Sequence, residues 1–413
     1  MRFWKHLSHE EISQRITSAL NKNVDYKENT VLGVPASHLD DNVFFTDPNH
    51  LSQAPFLRSL VKNPNHIGCH TIGESEPFFK GTHDIERELI NLCAEDILKG
   101  YGEEFDGYVA SGGTEANIQA IWMYRNFYKH EYDAKSHDIV LVFSSDAHYS
   151  MFKAANLLNL TTCVVDVDEK SRALIKEDLA TKVSDLKNKG HQHFIVVANM
   201  MTTMFGSVDD LDDYLEILKK EKLNYKIHVD GAYGGFVFPI ISKETQLTFA
   251  NPEVSSVTLD AHKMVQAPYG TGIFICRKNL IHHVMTNEAQ YVQGMDLTLS
   301  GSRSGANAIS VWMILQTYGP NGWHEKIHLL TYRTDWLEKE LKSLNVRFHR
   351  TPSSNIITML SEDIPNDLAI KYGLVPDSHS SNPKWFKIVI MDHVTLDSLE
   401  PFILELKESK QLN

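Results

Sequence analysis

One lysine follows a strand-like run of the sequence in a setting that suits nucleophilic chemistry. The stretch Thr258-Leu-Asp-Ala-His-Lys-Met-Val265 ends an apolar segment with a short polar turn and places His262 beside Lys263. A lysine amine attacks an aldehyde only in its neutral form, which partial burial beside another cation favours by lowering the amine pKa. Lys263 is therefore a candidate Schiff-base lysine, although most His-Lys pairs are ordinary surface residues.

A second stretch, His228-Val-Asp-Gly-Ala-Tyr-Gly-Gly-Phe236, has the pattern of a strand that ends in a glycine-rich turn. The end of such a strand would aim Asp230 into a cleft. A carboxylate there can keep a pyridine nitrogen protonated, which makes the ring an electron sink, and the small Ala232 leaves room for a flat ring. Alternatively, Asp230 is a buried residue that caps the turn, because structural ion pairs also imitate functional sites.

Four further segments complete an ordered set of motifs: Ser111-Gly-Gly-Thr-Glu-Ala-Asn117, Asp146-Ala-His-Tyr-Ser150, Met201-Thr-Thr-Met-Phe-Gly-Ser-Val-Asp209 and Ser300-Gly-Ser-Arg-Ser-Gly305. Together the six segments resemble the group II amino-acid decarboxylases, which are pyridoxal-phosphate enzymes of fold type I. The motifs are most similar to those of the histidine and serine decarboxylase branch. The resemblance covers the chain from about Gly81 to Tyr318.

This resemblance implies pyridoxal 5'-phosphate as the cofactor and Lys263, His148 and Asp230 as the catalytic residues. It also implies a set of cofactor-binding residues, namely Gly113, Thr114, His148, Thr202, Thr203, Asp230, Ala232, His262, Lys263 and Ser302. In the family, the histidine stacks on the ring opposite the alanine, and the pair of threonines contacts ring substituents. His262 would bind the phosphate, and Ser302 would reach it from the neighbouring subunit of a homodimer.

Several of these assignments have a structural alternative. Thr114 follows Gly113 at a strand-to-helix junction, where backbone N–H groups and a hydroxyl bind phosphate, but threonine also caps helices. Arg303 is explained equally well by a structural role in the turn and by a role in the site. The choice between Thr202 and Thr203 stays open, because the family usually has glycine where this chain has Met201, and the larger side chain would narrow the site.

Three residues are weaker candidates for contacting the substrate. His66 and His70 lie in the region that matches the family's substrate-contacting segment, and Tyr291 is a candidate proton donor. Alternatively, these three residues are polar loop residues that do not contact the substrate, which the sequence does not distinguish. The paired histidines of the chain lack a metal-ligand context such as His-Glu-x-x-His, so no metal site is expected.

The expected reaction is decarboxylation of an L-amino acid to its amine and CO2, through an external aldimine formed by displacing Lys263, with histidine as the favoured substrate. An aminotransferase would hold the substrate carboxylate with a late arginine, and residues 351–413 contain none. A carbon–carbon lyase acting on phosphorylated sphingoid bases is a related alternative that usually carries a membrane anchor. A non-catalytic cofactor-binding protein is disfavoured by the intact set of catalytic residues.

Length and composition bound the other possibilities. The 413 residues carry a net charge of -13, which disfavours nucleic acid or an anionic membrane as a partner. Four scattered cysteines indicate reduced thiols in a cytoplasmic protein, and no apolar run approaches the ~20 residues that span a bilayer. The first residues lack the apolar core of a secretory signal.

Apolar runs alternate with amphipathic segments along the middle of the chain. Residues 139–143 and 194–198 are continuous apolar runs, as expected for strands buried on both faces, whereas residues 82–99 predict one helix. We therefore expect an α/β fold of type I, with a mostly parallel sheet, flanking helices and a small C-terminal α+β domain. The predicted division is an N-terminal arm (1–65), a large cofactor-binding domain (66–322) and a small domain (323–413).

Overall fold

The centre of the protein is a seven-stranded sheet. The structure is a computed structural model that describes residues 10, 30, 32–33, 66–68, 80–286, 295–379 and 382–411. The strand order is β2-β8-β7-β6-β5-β3-β4, and only β8 runs antiparallel to its neighbours. The strands are β2 (Phe105–Ala110), β3 (Ile139–Ser144), β4 (Thr161–Val165), β5 (His193–Asn199), β6 (Asn224–Asp230), β7 (Val254–Asp260) and β8 (Gly272–Arg277).

The apolar runs form central strands because both faces of the sheet are covered. In β3, Val140 and Val142 pack into one hydrophobic cluster, while Leu141 and Phe143 pack into a second cluster on the opposite face. The same alternation holds in β5. The predicted fold, a mostly parallel sheet flanked by helices, is confirmed.

Helices connect the strands and cover the sheet. They are α1 (Lys80–Asn91), α2 (Gly113–Tyr132), α3 (Ser150–Leu158), α4 (Lys176–Asn188), α5 (Leu211–Lys220) and the short α6 (Phe238–Ile241). The single helix predicted over residues 82–99 is in fact α1 followed by a π-helix, Leu92–Ile97. Over so few residues an apolar pattern cannot distinguish the wider π-helical turn from the α-helical one.

The C-terminal part of the chain forms a second, antiparallel sheet of order β10-β11-β13-β12. Its strands are β10 (Phe348–His349), β11 (Ile356–Leu360), β12 (Val375–Pro376) and β13 (Trp385–Val389), with helices α8 (Asn366–Lys371) and α9 (Leu396–Gln411). The long helix α7 (Gly305–Ser343) leads into this sheet. It is interrupted at Gly319, whose φ of 60° and ψ of 178° are not helical, and Pro320 follows.

This interruption lies close to the predicted domain boundary at residue 322, and the division into domains stays a prediction. One residue of the predicted N-terminal arm, Leu32, makes two backbone hydrogen bonds with the C-terminal part of its own chain. The N–H of Leu32 donates to the carbonyl of Tyr372 at 3.1 Å, and the N–H of Val389 donates to the carbonyl of Leu32 at 2.9 Å. The short strand β1 (His66–Gly68) pairs with β9 (Arg303–Ser304).

In the described part of the chain, no helix combines the length and the apolar character needed to cross a membrane.

Candidate active site

Three parallel strands end at one cavity. β5, β6 and β7 finish at Asn199, Asp230 and Asp260, and all three residues line a cavity of about 550 Å³. In a parallel sheet, ligands bind beyond the carboxyl ends of the strands. The cavity lining also contains the start of α2 and every predicted cofactor-binding residue except Ser302.

Asp230 is buried in the cavity wall with both carboxylate oxygens engaged. Its Oδ2 accepts a hydrogen bond of 2.9 Å from Nδ2 of Asn117, and its Oδ1 accepts one of 3.1 Å from the N–H of Ala232. The turn that follows needs glycine because of close approach: a Cβ on Gly234 would lie 2.2 Å from the carbonyl oxygen of Met200. The glycine pair therefore lets the turn pack tightly and hold Asp230 at the end of β6.

His148 is half-buried in the same cavity. Its Nδ1 lies 2.8 Å from Oγ of Ser150 and accepts the N–H of Ser150 at 3.3 Å. Burial lowers the pKa of His148; the carboxylate of Asp230 opposes this shift and the ammonium of Lys263 adds to it. An imidazole that accepts at Nδ1 and stays neutral carries its proton on Nε2.

A buried carboxylate joins the lysine turn to the start of α2. Nδ1 of His262 lies 2.7 Å from Oδ1 of Asp260, an ion-pair distance without hydrogen-bond geometry. Oδ2 of Asp260 accepts the N–H of Gly113 at 2.9 Å. Gly113 also lines the cavity, and its predicted contact with a phosphate stays a prediction. Thr114 keeps its predicted place at the helix start and lines the cavity.

The two adjacent threonines have different surroundings. Thr202 is buried, and its Oγ1 lies 2.7 Å from Oγ of Ser207 within the turn, whereas Thr203 is exposed and also lines the cavity. Met201 lines the cavity with a φ of 68°, in the left-handed region that favours glycine. The geometry therefore explains why a glycine suits this position.

The groups that line the cavity suit the binding of pyridoxal phosphate, the cofactor that the motifs imply. An amine, a carboxylate and an imidazole, from Lys263, Asp230 and His148, line one cavity whose wall at Ala232 is small. The start of α2 and the side chain of His262 offer a helix dipole and a second basic group for an anion. In the described ranges, no group of three or more His, Cys, Asp or Glu residues could hold a metal ion.

Residues 82–356 match the family model described as the pyridoxal-dependent decarboxylase conserved domain. The chain belongs to this family. It is a pyridoxal-phosphate-dependent amino-acid decarboxylase, as the motifs imply. A tryptophan decarboxylase from Clostridium sporogenes is 50% identical over 408 residues, which cover 99% of this chain and 98% of the relative.

Solved structures of low sequence identity share the fold. A sphingosine-1-phosphate lyase from Burkholderia pseudomallei superposes with a TM-score of 0.80 at 17% identity, covering 98% of this chain and 91% of the lyase. An L-methionine decarboxylase from Streptomyces sp. 590 superposes with a TM-score of 0.78 at 19% identity, covering 97% of this chain and 95% of that enzyme. At such identities the likeness shows the fold alone.

Ser302 lies outside the cavity lining of the decarboxylase and is exposed. Its neighbour Arg303 is buried. The Nη1 and Nη2 groups of Arg303 donate to the carboxylate of Glu86, Nη1 also donates to the carbonyl of Val109 at 3.1 Å, and the guanidinium lies 4.8 Å from the ring centre of Tyr108. These contacts favour a structural role for Arg303 over a role in the site.

The side chains of the three weaker substrate candidates are not among the described parts of the structure. His70 and Tyr291 are outside the described residues, and for His66 only the backbone, in β1, is described. Their proposed contacts stay predictions.

Sequence reasoning missed several polar residues that surround the site. Asn117, Ser150 and His228 belong to the motifs described above but were given no role, and Lys387 was not singled out. The signal for Asn117 was its position one helical turn after Thr114, on the side of α2 that faces the strand ends.

Proposed function

We propose that this decarboxylase acts on L-tryptophan and releases tryptamine and CO2. The observation that carries the proposal is the 50% identity, over 99% of the chain, to the tryptophan decarboxylase of Clostridium sporogenes.

The walls of the cavity support an aromatic substrate. Ile118, Tyr149, Met201 and Leu299 contribute apolar surface to the lining. Apolar and aromatic walls bind a large flat side chain by burying its surface. The earlier preference for histidine rested on motif likeness alone, and the identity to a tryptophan decarboxylase outweighs it.

Each catalytic residue has a task that follows from its surroundings. Lys263 would supply the amine that holds the cofactor covalently, and the small Ala232 would leave space for its ring. The carboxylate of Asp230 would pair with the ring nitrogen, and His148, with Nε2–H as its donor, would bind against the ring. Bound pyridoxal phosphate supplies the electron sink for the electrons released when CO2 leaves.

The phosphate would be held by a subset of the predicted residues. Thr114, at the start of α2, and His262, beside the carboxylate of Asp260, are the groups of this chain that suit an anion. The exposed Thr203 is better placed than Thr202 to contact a ring substituent, because the hydroxyl of Thr202 is already bonded to Ser207.

We also propose a homodimer in a reducing, cytoplasmic setting. Ser302 is exposed outside the cavity of its own chain, as expected of a residue that completes a partner's phosphate site. Cys93, Cys163 and Cys276 are buried free thiols. The dimer is tested by measuring mass in solution together with activity: a fully active monomer would contradict it.

The substrate is tested by measuring CO2 and amine release from tryptophan, tyrosine, phenylalanine, histidine, serine, aspartate and methionine. We expect the highest kcat/KM for tryptophan, by ~10-fold or more, and no release by the Lys263→Ala control. A higher kcat/KM for histidine or another amino acid would contradict the substrate. Formation of a keto acid without CO2 would instead indicate an aminotransferase.

A further inference from the structure

Asn117 connects Asp230 and His148, the residues assigned to the nitrogen and to the face of the cofactor ring. It lies near the start of α2 and is 1% exposed. Its Nδ2 donates to Oδ2 of Asp230 at 2.9 Å and to Oγ of Ser150 at 3.2 Å, while its Oδ1 lies 3.0 Å from Nε2 of His228. One buried amide thus uses both of its ends.

The orientation of this amide is fixed by its neighbours. A carboxylate only accepts hydrogen bonds, so the NH2 group of Asn117 must face Asp230. Its Oδ1 then needs a donor, which places the proton of His228 on Nε2. Nδ1 of His228 is left to accept from Oγ of Ser256 at 2.7 Å. His228 is completely buried, and burial lowers its pKa to about 4, so the ring stays neutral.

The second branch reaches His148. Because Oγ of Ser150 accepts from Asn117, its hydroxyl hydrogen is available for Nδ1 of His148 at 2.8 Å. The same Nδ1 accepts the N–H of Ser150. Two donors at Nδ1 exclude a proton there, so the neutral ring carries its proton on Nε2.

We propose that Asn117 is a positioning residue that holds a hydrogen-bond donor against the carboxylate of Asp230 and holds His148 as its Nε2–H tautomer through a single amide. The proposal rests on the roles proposed above for Asp230 and His148 at the ring. In this proposal, the hydrogen bond from His228 fixes the orientation of the Asn117 amide. Ser150, which is bonded to both residues, couples that orientation to the tautomer of His148. An unlocked amide could rotate and present its oxygen to the carboxylate, which would repel it.

Two replacements of Asn117 separate electrostatics from shape. Asn117→Asp keeps the shape but sets a second carboxylate against Asp230, so the pair must share a proton. Asn117→Ala loses the shape and the donor but adds no charge. We expect kcat to fall ~10- to 100-fold in the alanine variant, as for a lost hydrogen bond to a charged group, and further in the aspartate variant. A purely structural residue predicts the reverse order.

The pH titration of the bound cofactor's visible absorbance gives a readout independent of turnover. Two carboxylates at hydrogen-bond distance share a proton with a raised pKa, so Asn117→Asp should add an ionisation that the unsubstituted enzyme lacks. The matched control is Gln119→Met, on the same helix. Gln119 is equally buried but donates to the carbonyl of Leu297 at 3.0 Å, away from the ring. Its titration should be unchanged.

Each outcome decides the matter. The proposal is supported if kcat falls in Asn117→Ala and falls further in Asn117→Asp, with the cofactor retained and the extra ionisation present. An aspartate variant as active as the alanine variant overturns it. Normal turnover of cofactor-loaded Asp230→Asn would contradict the proposed role of Asp230 instead. If Asn117→Asp does not fold, Ser150→Ala tests the second branch, and an unchanged pH profile of kcat there overturns the proposal.

Discussion

The ammonium of Lys387 donates a hydrogen bond of 2.9 Å to the backbone carbonyl of Thr203. Lys387 lies on β13 of the C-terminal sheet, and its partner on β11, Thr358, donates to the carbonyl of Met204 at 2.7 Å. The C-terminal sheet therefore holds the loop that carries the cavity threonines by two side-chain hydrogen bonds.

Lys387 should make stability depend on pH in the alkaline range. Burial, with a smaller contribution from the charge of Lys263, lowers the pKa of Lys387 to about 8 from 10.5. Between these values the unfolded chain binds more protons, so this residue makes the protein more stable as pH rises, by up to ~1.4 kcal/mol per pH unit. The apo-protein's urea midpoint, measured from pH 7 to 10.5, should therefore rise relative to that of Lys387→Met.

The control is Lys371→Met, since Lys371 is an exposed lysine of the same domain that pairs with Glu405. Parallel pH curves for Lys387→Met and the unsubstituted protein would show that Lys387 keeps an ordinary proton affinity.

His228 should make the protein sensitive to acid. Its pKa is about 4 in the folded state because it is buried, against an ordinary value of 6.5. Since the unfolded chain binds more protons between these values, stability is complete above pH 6.5 and falls by roughly 3 kcal/mol as pH drops to 4. In His228→Gln this part of the acid dependence should disappear.

Urea unfolding between pH 4 and 7 measures the difference, with His137→Gln as the control because the side chain of His137 is 64% exposed. An acid dependence that survives unchanged in His228→Gln would contradict the neutral, buried state of this histidine.

Met201 should restrict the size of the substrate. Its side chain lines the cavity, and its backbone has a φ of 68°, which costs a non-glycine residue ~1 kcal/mol. Met201→Gly removes both the side chain and this strain. We expect the kcat/KM for ring-substituted tryptophans to rise ~10-fold relative to that for tryptophan.

The control is Met200→Ala, which truncates a fully buried methionine that does not line the cavity. It should lower stability without changing the ratio. An unchanged ratio in Met201→Gly would mean that another residue limits the cavity.

The sequence predicted the central strands and the reactive side chains of the site most directly. Apolar runs such as residues 194–198 predicted the central strands because only a doubly covered sheet can bury them. Lys263, Asp230 and His148 could be found because their motifs combine reactive side chains with small residues. Their common cavity follows from the parallel order of β5, β6 and β7.

The interactions around these residues could not be predicted in the same way. Asn117 and His228 are 111 residues apart, and each is an ordinary residue for its helix or strand, so only folding reveals their contact. The same holds for Lys387 and Thr203. The hydrogen bond from the N–H of Gly113 to Asp260 could not be predicted either, because nothing in the sequence indicates that this carboxylate reaches the start of α2.

The central claim is that Lys263 is the residue that holds the cofactor. The most direct measurement is borohydride reduction of the cofactor-loaded enzyme, followed by digestion and mass determination of the labelled peptide. We predict a reduced pyridoxyl group on Lys263, and none anywhere in Lys263→Ala. A label on another lysine, or a label that persists in the Lys263→Ala enzyme, would contradict the account.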